Sequence, residues 1–230
     1  MPTQCLNRST LLVFEFVEGR SALEVPPDAP EWAAASLAPR LGALLAADLA
    51  LNNLDRLPWP ALWDNEGNLG NLMLRPDGVP VAIDSSCFCI RAQVSAGTRA
   101  VRLFQLGQVS GCENALLGRH LGRLAAALGD LAACRGAGRE SGAVRSLRER
   151  LAASSGVSLD AAQGAALQEG LCAGLERLAR LPPAWWDAQR AAVAALVPPE
   201  RDWERVWERD LALVDPAFLA AVRALVADHF

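Results

Sequence analysis

The sequence predicts an α+β protein, mostly helical, with one β-hairpin between a first helix and a long helical remainder. Three observations predict it. Leu37, Leu41, Leu44 and Leu45 recur at helical spacing between Glu31 and about Leu49. Two apolar runs in "NLMLRPDGVPVAID" flank Pro76-Asp77-Gly78, a short-range hairpin signal. From about Leu116 onward the chain reads as helical throughout.

The elements follow in order. Thr10 to Val17, "TLLVFEFV", is short, apolar and rich in branched and aromatic residues, which predicts a buried strand ending at Glu18-Gly19. The Pro-rich "VPPDAPEW" is a connection, and the helix of Glu31 to Leu49 has Pro39 near its start. Asn52 to Gly70 carries prolines and glycines without periodicity and reads as a loop. The hairpin turns at Asp77-Gly78. Beyond it, Leu117, Leu121, Leu124, Leu128 and Leu131 mark one helix, and Leu167, Leu171, Leu175 and Leu178 another. Pro182-Pro183, Pro198-Pro199 and Pro216 punctuate three more, and "GAGRESGA" (Gly136 to Ala143) is a flexible connection without being a domain boundary.

Composition bounds the function. With 230 residues, 52% of them hydrophobic and 21% charged, the chain is an ordinary globular protein with one core. A net charge of -4 and the absence of any basic run exclude nucleic acid as an obvious partner. Arg40 and Asp48 interrupt the most apolar stretch, so no membrane span is expected, and Glu15 breaks the N-terminal apolar run that a signal peptide would need. Six cysteines without a CxxC pair read as reduced thiols of a cytoplasmic protein. Trp185-Trp186, Trp203 and Trp207 read as core anchors.

The polar residues between Leu49 and Ser86 carry the chemistry. A two-residue turn at Asp77-Gly78 sets Asn71 opposite Asp84, with Cβ atoms about 5 Å apart on one face. Such a pair either caps strand ends or holds one hard cation such as Mg²⁺ through a carboxamide and a carboxylate oxygen. Asp55, in the loop before the hairpin, adds a third group. Phosphoryl transfer needs a metal-holding Asn, a metal-holding Asp and a further Asp that orients the attacking hydroxyl. Here they stand in the order kinases use, although Asp55 and Asn71 are farther apart than in protein kinases. Arg56 is open to pairing with a loop carboxylate or with phosphate; Asp48 reads as a polar residue near the helix end, and Asn68 as a turn former.

"LNNLDRLPWPALWDNEGNLGNLML…VAIDSS" resembles the catalytic core of the actin-fragmin kinase family, an atypical branch of the protein-kinase-like superfamily. The Asp-Arg…Asn…Asp order is also similar to phosphoinositide kinases, but the loop with Trp59, Trp63 and "DNEGN" favours the actin-fragmin branch. The resemblance implies a protein-kinase-like C-lobe with a catalytic-loop hairpin over 26–230, and over 1–25 a remnant of an otherwise largely missing N-lobe with its hinge. It implies a phosphotransferase that uses ATP and Mg²⁺ on a protein Ser/Thr hydroxyl, with actin or an actin-binding protein as candidate partner. Asp55 and Arg56 take catalytic positions, Asn71 and Asp84 the metal positions, and the backbone of Phe16, Val17 and Glu18 meets adenine.

One departure stands out. All 22 basic residues are Arg, so the phosphate-gripping Lys of a kinase N-lobe is absent. A truncated chain is therefore expected, inactive alone; the alternatives are a non-catalytic pseudokinase or interaction module, and a lipid kinase of the phosphoinositide type.

Overall fold

The computed structural model describes residues 18–83, 113–185, 187, 188, 191 and 216–230. The strand expected over Thr10 to Val17 lies outside them, as do Phe16, Val17 and Asp84. The architecture is α+β and mostly helical, as the sequence predicts, and the described residues hold one three-stranded antiparallel sheet. Among the described residues the strands and α-helices are, in chain order, strand β1 (Arg20–Ser21), helix α1 (Leu37–Leu51), strands β2 (Leu72–Leu74) and β3 (Pro80–Ala82), and helices α2 (Glu113–Cys134), α3 (Gly142–Ser155), α4 (Ala161–Arg180) and α5 (Pro216–His229).

α1 begins later than its leucine pattern suggests. Pro30–Ala33 forms a separate 3₁₀ turn, and the helix starts at Leu37 after the extended Ala34. Pro39 then falls within the first turn, where its missing N–H has no helical partner to lose. From there Leu37, Leu41, Leu45 and Leu49 form a fully buried stripe. At its other end Asn52 adopts the left-handed conformation (φ 50°, ψ 41°) and stops the helix, the C-terminal role usually filled by glycine.

α1 packs most closely on α4 through small residues. A Cβ at Gly170 would strike the backbone of Pro39, one at Gly42 the backbone of Leu167, and one at Gly174 the side chain of Ala46. Two helix backbones therefore lie against each other, flanked by the buried Leu167, Leu171 and Leu175 of α4. Leu124, Leu128 and Leu131 of α2, Val144, Leu147 and Leu151 of α3, and Phe218 and Val222 of α5 complete the same core. Capping fixes the helix starts: the Ser141 hydroxyl accepts from Val144 N at 3.2 Å, and Asp160 and Gln163 form a reciprocal capping box. The connection before α3 is correspondingly shorter than expected, because Gly142 and Ala143 already belong to the helix.

The hairpin forms where expected, with a different turn. Leu72 pairs with Ala82, Met73 with Val81 and Leu74 with Pro80. Gly78 N donates to Arg75 O at 2.9 Å and Arg75 N to Val79 O at 3.0 Å, so the loop comprises Pro76, Asp77 and Gly78. Pro76 suits the first central position of a type I turn, and Gly78 takes the left-handed bulge position at φ 71°. This corrects the two-residue turn and shifts the register by one: Ile83 N donates to Asn71 O at 3.1 Å, so Asn71 faces Ile83 and not Asp84. A strand the sequence did not announce, β1, adds to the other side of β2 (Arg20 with Leu74, Ser21 with Met73).

Candidate active site

The site is built where α1 ends. Asp48 lies on the same stripe as Leu41, Leu45 and Leu49 and is 2% exposed. The reversal at Asn52 returns the chain toward it. Asn53 Nδ2 donates to Asp48 Oδ1 at 2.8 Å, and Asn53 N to Asp48 O at 2.7 Å. Arg56, also 2% exposed, forms a salt bridge from Nη1 to the same Oδ1. Its Nε donates to Asn71 O at 3.1 Å and its Nη2 to Ile83 O at 3.3 Å. Of the two partners anticipated for Arg56 it has a carboxylate, but one supplied by the helix, not the loop. Asp48 is thus a buried ion-pair partner, more than a polar helix-end residue. Burial pushes its carboxyl above the ordinary range, and the Arg56 charge and Asn53 amide offset part of that. Its Oδ2 is buried with no hydrogen-bond partner.

Asp55 sits between these anchored neighbours and remains half-buried. Asn71 Nδ2 donates to Asp55 O at 2.9 Å and to Asp55 Oδ2 at 3.1 Å. A carboxylate and a carbonyl accept only, so Asn71 must turn its NH₂ toward Asp55 and its oxygen the other way. That oxygen accepts from Asn68 Nδ2 at 3.2 Å. Asn68 also receives Gly70 N at 3.0 Å and so holds the 3₁₀ turn Leu69–Asn71 that feeds β2. Its expected turn-forming role is joined by a direct contact with the candidate metal residue.

The long spacing between Asp55 and Asn71 is absorbed by a packed loop whose ends meet: Asn68 N donates to Arg56 O at 3.1 Å. Its body is a hydrophobic plug of Leu57, Trp59, Leu62 and Trp63, each at most 2% exposed. The two indoles meet edge-on, with centroids 5.9 Å apart. Each indole N–H is bonded, Trp63 Nε1 to Asn52 Oδ1 at 2.7 Å and Trp59 Nε1 to Ala143 O at 2.9 Å. Arg123 of α2 donates to Pro60 O at 2.7 Å and Ala61 O at 3.3 Å from outside. The insertion therefore acts as core, and leaves Asp55 and Asn71 in contact as a short connection would.

Not every expected residue joins this cluster. Glu18 is exposed and precedes β1, while Trp185, read as a core anchor, is 38% exposed. Asn53, although part of the Asn-Leu-Asp-Arg run, received no role from the sequence. The signal for Asp48 was present, since a carboxylate on the Leu41–Leu45–Leu49 stripe has to be buried and therefore paired. Among the described residues no three His, Cys, Asp or Glu gather as metal ligands. What the cluster offers instead is one carboxylate and a carboxamide oxygen, hard donors of the kind Mg²⁺ accepts beside water and phosphate. Among the described residues no helix is long and apolar enough to cross a membrane.

Comparison with individual curated proteins gives no match. The family model described as actin-fragmin kinase, catalytic, matches residues 1–175 of the 230. That span holds α1, the plug, the hairpin and the Asp55–Asn71 contact, and the chain belongs to the actin-fragmin kinase catalytic family, a family of kinase-type phosphotransferase domains.

Proposed function

We propose that the chain acts in transfer of the ATP γ-phosphate to a Ser or Thr hydroxyl of a protein substrate. The observation that carries this reading is the double contact of the Asn71 amide with Asp55, which fixes the Asn71 NH₂ on Asp55 and turns its carboxamide oxygen the other way at the open end of a hairpin. Asp55 Oδ2 receives the amide, and Oδ1 is the oxygen assigned to the substrate hydroxyl, whose proton it accepts as the new O–P bond forms and the bond to ADP breaks. Asn71 Oδ1 is assigned to Mg²⁺, which would neutralise phosphate charge, and Asp84 is assigned to the same ion on the family resemblance alone, since the register sets Ile83 opposite Asn71. Arg56 faces inward and acts through what it holds.

The adenine end is assigned to the backbone at Phe16, Val17 and Glu18. Ala22 N donates to Leu72 O at 2.8 Å, next to Asn71. Glu18 is four residues from Ala22, a reach of at most about 13 Å and a scale that suits a nucleoside triphosphate. Actin or an actin-binding protein is the substrate class that the family's description suggests. Free, buried Cys134 and Cys172 suit the cytoplasm. A non-catalytic role has one observation in its favour, the absence of any Lys in the sequence.

The test measures Mn²⁺·ATP affinity and phosphoryl transfer to actin and to a general Ser/Thr protein substrate. Asn71→Ala and Asp84→Asn should weaken Mn²⁺·ATP binding about tenfold or more. Asp55→Asn should leave affinity nearly unchanged and, in a chain joined to a Lys-bearing N-lobe, lower turnover by about 100-fold or more. Equal affinity in all variants would remove the metal assignment. The chain alone should bind with little turnover; binding without turnover even when it is joined to a Lys-bearing N-lobe would select the non-catalytic reading.

A further inference from the structure

The hairpin lies along α1 and is fastened to it at both ends. At the turn, the Ser36 hydroxyl before α1 lies 3.4 Å from both Asp77 O and Gly78 O, and a Cβ on Gly78 would strike Ala34. At the open end, Asp48 holds Arg56, which in turn bonds one carbonyl from each arm, Asn71 O and Ile83 O. From Ser36 to Asp48 a helix rises about 18 Å, and the six residues of chain from Asn71 to Asp77 reach at most about 20 Å. The two lengths match, so α1 can serve as a rigid splint for the hairpin.

We infer that Asp48 and Arg56 form a positioning clamp, in which α1 sets the separation of the two arms that carry the metal-binding groups. Three features support this over simple core filling. Arg56 bonds backbone carbonyls, so it fixes chain positions irrespective of the side chains there. The two carbonyls straddle the site: Asn71 O belongs to the candidate metal residue itself, and Ile83 O is the carbonyl of the peptide joined to Asp84. The carboxylate is also under-used, with Asn53 and Arg56 sharing Oδ1 while Oδ2 has no partner. An ion pair selected only for stability could be replaced by apolar side chains of similar volume. A planar guanidinium fork that spans two strands has no apolar substitute. Arg56 and Asp48 are positioning residues on this view, since neither reaches the reacting atoms.

The inference rests on the proposed metal site, and its test separates the two. Asp48→Asn and Arg56→Gln are made singly and together in the full chain, and each is read by thermal unfolding, by amide hydrogen exchange and by Mn²⁺·ATP affinity. Each single variant leaves a buried polar or charged group mismatched and should be the less stable. The double variant removes both charges and should recover much of that stability. The clamp should not recover with it. In the double variant the Ile83 amide at the open end should exchange about tenfold faster or more, the Gly78 amide at the turn should be unchanged, and Mn²⁺·ATP affinity should fall about tenfold. Arg56→Lys, which keeps the charge and loses the fork, should show the same loosening. If the Ile83 amide keeps its protection in the double variant, or affinity returns together with stability, the clamp is overturned. If the unmodified chain binds no Mn²⁺·ATP, the metal site fails, and hydrogen exchange still decides whether the clamp exists.

Discussion

On the face that α1 turns toward α4, Gly42 meets the Leu167 backbone, Pro39 meets Gly170 and Ala46 meets Gly174, with no polar side chain needed at those contacts. At its last turn the same helix presents Asp48 to Arg56 and Asn53, and these are directed bonds. The first region is held by shape and the second by hydrogen-bond geometry. Shape fixes how near two backbones lie. A guanidinium between two carbonyls also fixes where individual atoms point, which a phosphoryl-transfer site requires. Small residues therefore serve the packed side of the helix and ionised ones the end that serves the site.

The largest break in this contrast should come from Asp48→Ala. Removing one partner of a buried pair leaves Arg56 uncompensated and should cost about 4 kcal/mol of unfolding free energy, measured by urea denaturation. Gly170→Ala attacks the other region. A methyl group there meets the Pro39 backbone, so α1 and α4 must separate, at about 3 kcal/mol. The two should differ in quality as well as size. Gly170→Ala should leave the relative exchange rates of the hairpin amides unchanged, while Asp48→Ala should loosen the open end selectively.

Sequence patterns announced the shape-held region far better than the bond-held one. Leucine stripes on α1, α2 and α4 were legible because one helix's burial pattern repeats locally. The hairpin was legible and its register was not. Asp77-Gly78 read as a two-residue turn, whereas Pro76 imposes the φ of a type I turn and Gly78 the bulge, which moves every pairing by one. Asn71 and Asp55 were each singled out from the sequence, but their contact was not, and the plug that makes it possible was invisible, since Asn52–Gly70 has no periodicity. Arg56 finds Asp48 only because Asn52 turns left-handed, a conformational choice that a residue-by-residue reading does not register. β1 escaped because a two-residue strand has no pattern to show.

A third kind of burial sharpens the comparison. His120 of α2 packs near the Phe218 ring of α5, with centroids 5.8 Å apart, and its buried Nε2 has no bonding partner. Burial, with Arg123 adding to it, pulls its pKa down to about 4. The unfolded chain takes up this proton near pH 6.5 and the folded chain only near 4, so the stability due to neutral His120 is complete above about pH 6.5 and is lost as pH falls toward 4. Between pH 6 and 4.5 the loss should be about 2 kcal/mol, and His120→Leu should flatten that limb in denaturation midpoints. Asp48, with a raised pKa, works in the opposite sense and cannot produce the loss.

The smallest effect belongs to Asn52→Gly. Glycine keeps the left-handed turn and removes the acceptor of Trp63 Nε1, so about 1 kcal/mol should be lost, with fluorescence of the plug reporting the freed indole.

The most direct test of the site is paramagnetic. Mn²⁺ is added with ATP to isotopically labelled full chain, and side-chain amide resonances are followed by NMR. The expected result is that Asn71, followed by Asn68, broadens at the lowest Mn²⁺ concentration, while the buried Gln168 and Asn53 amides persist longer. Broadening that starts elsewhere and spares Asn71 would contradict the assignment of its carboxamide to the metal.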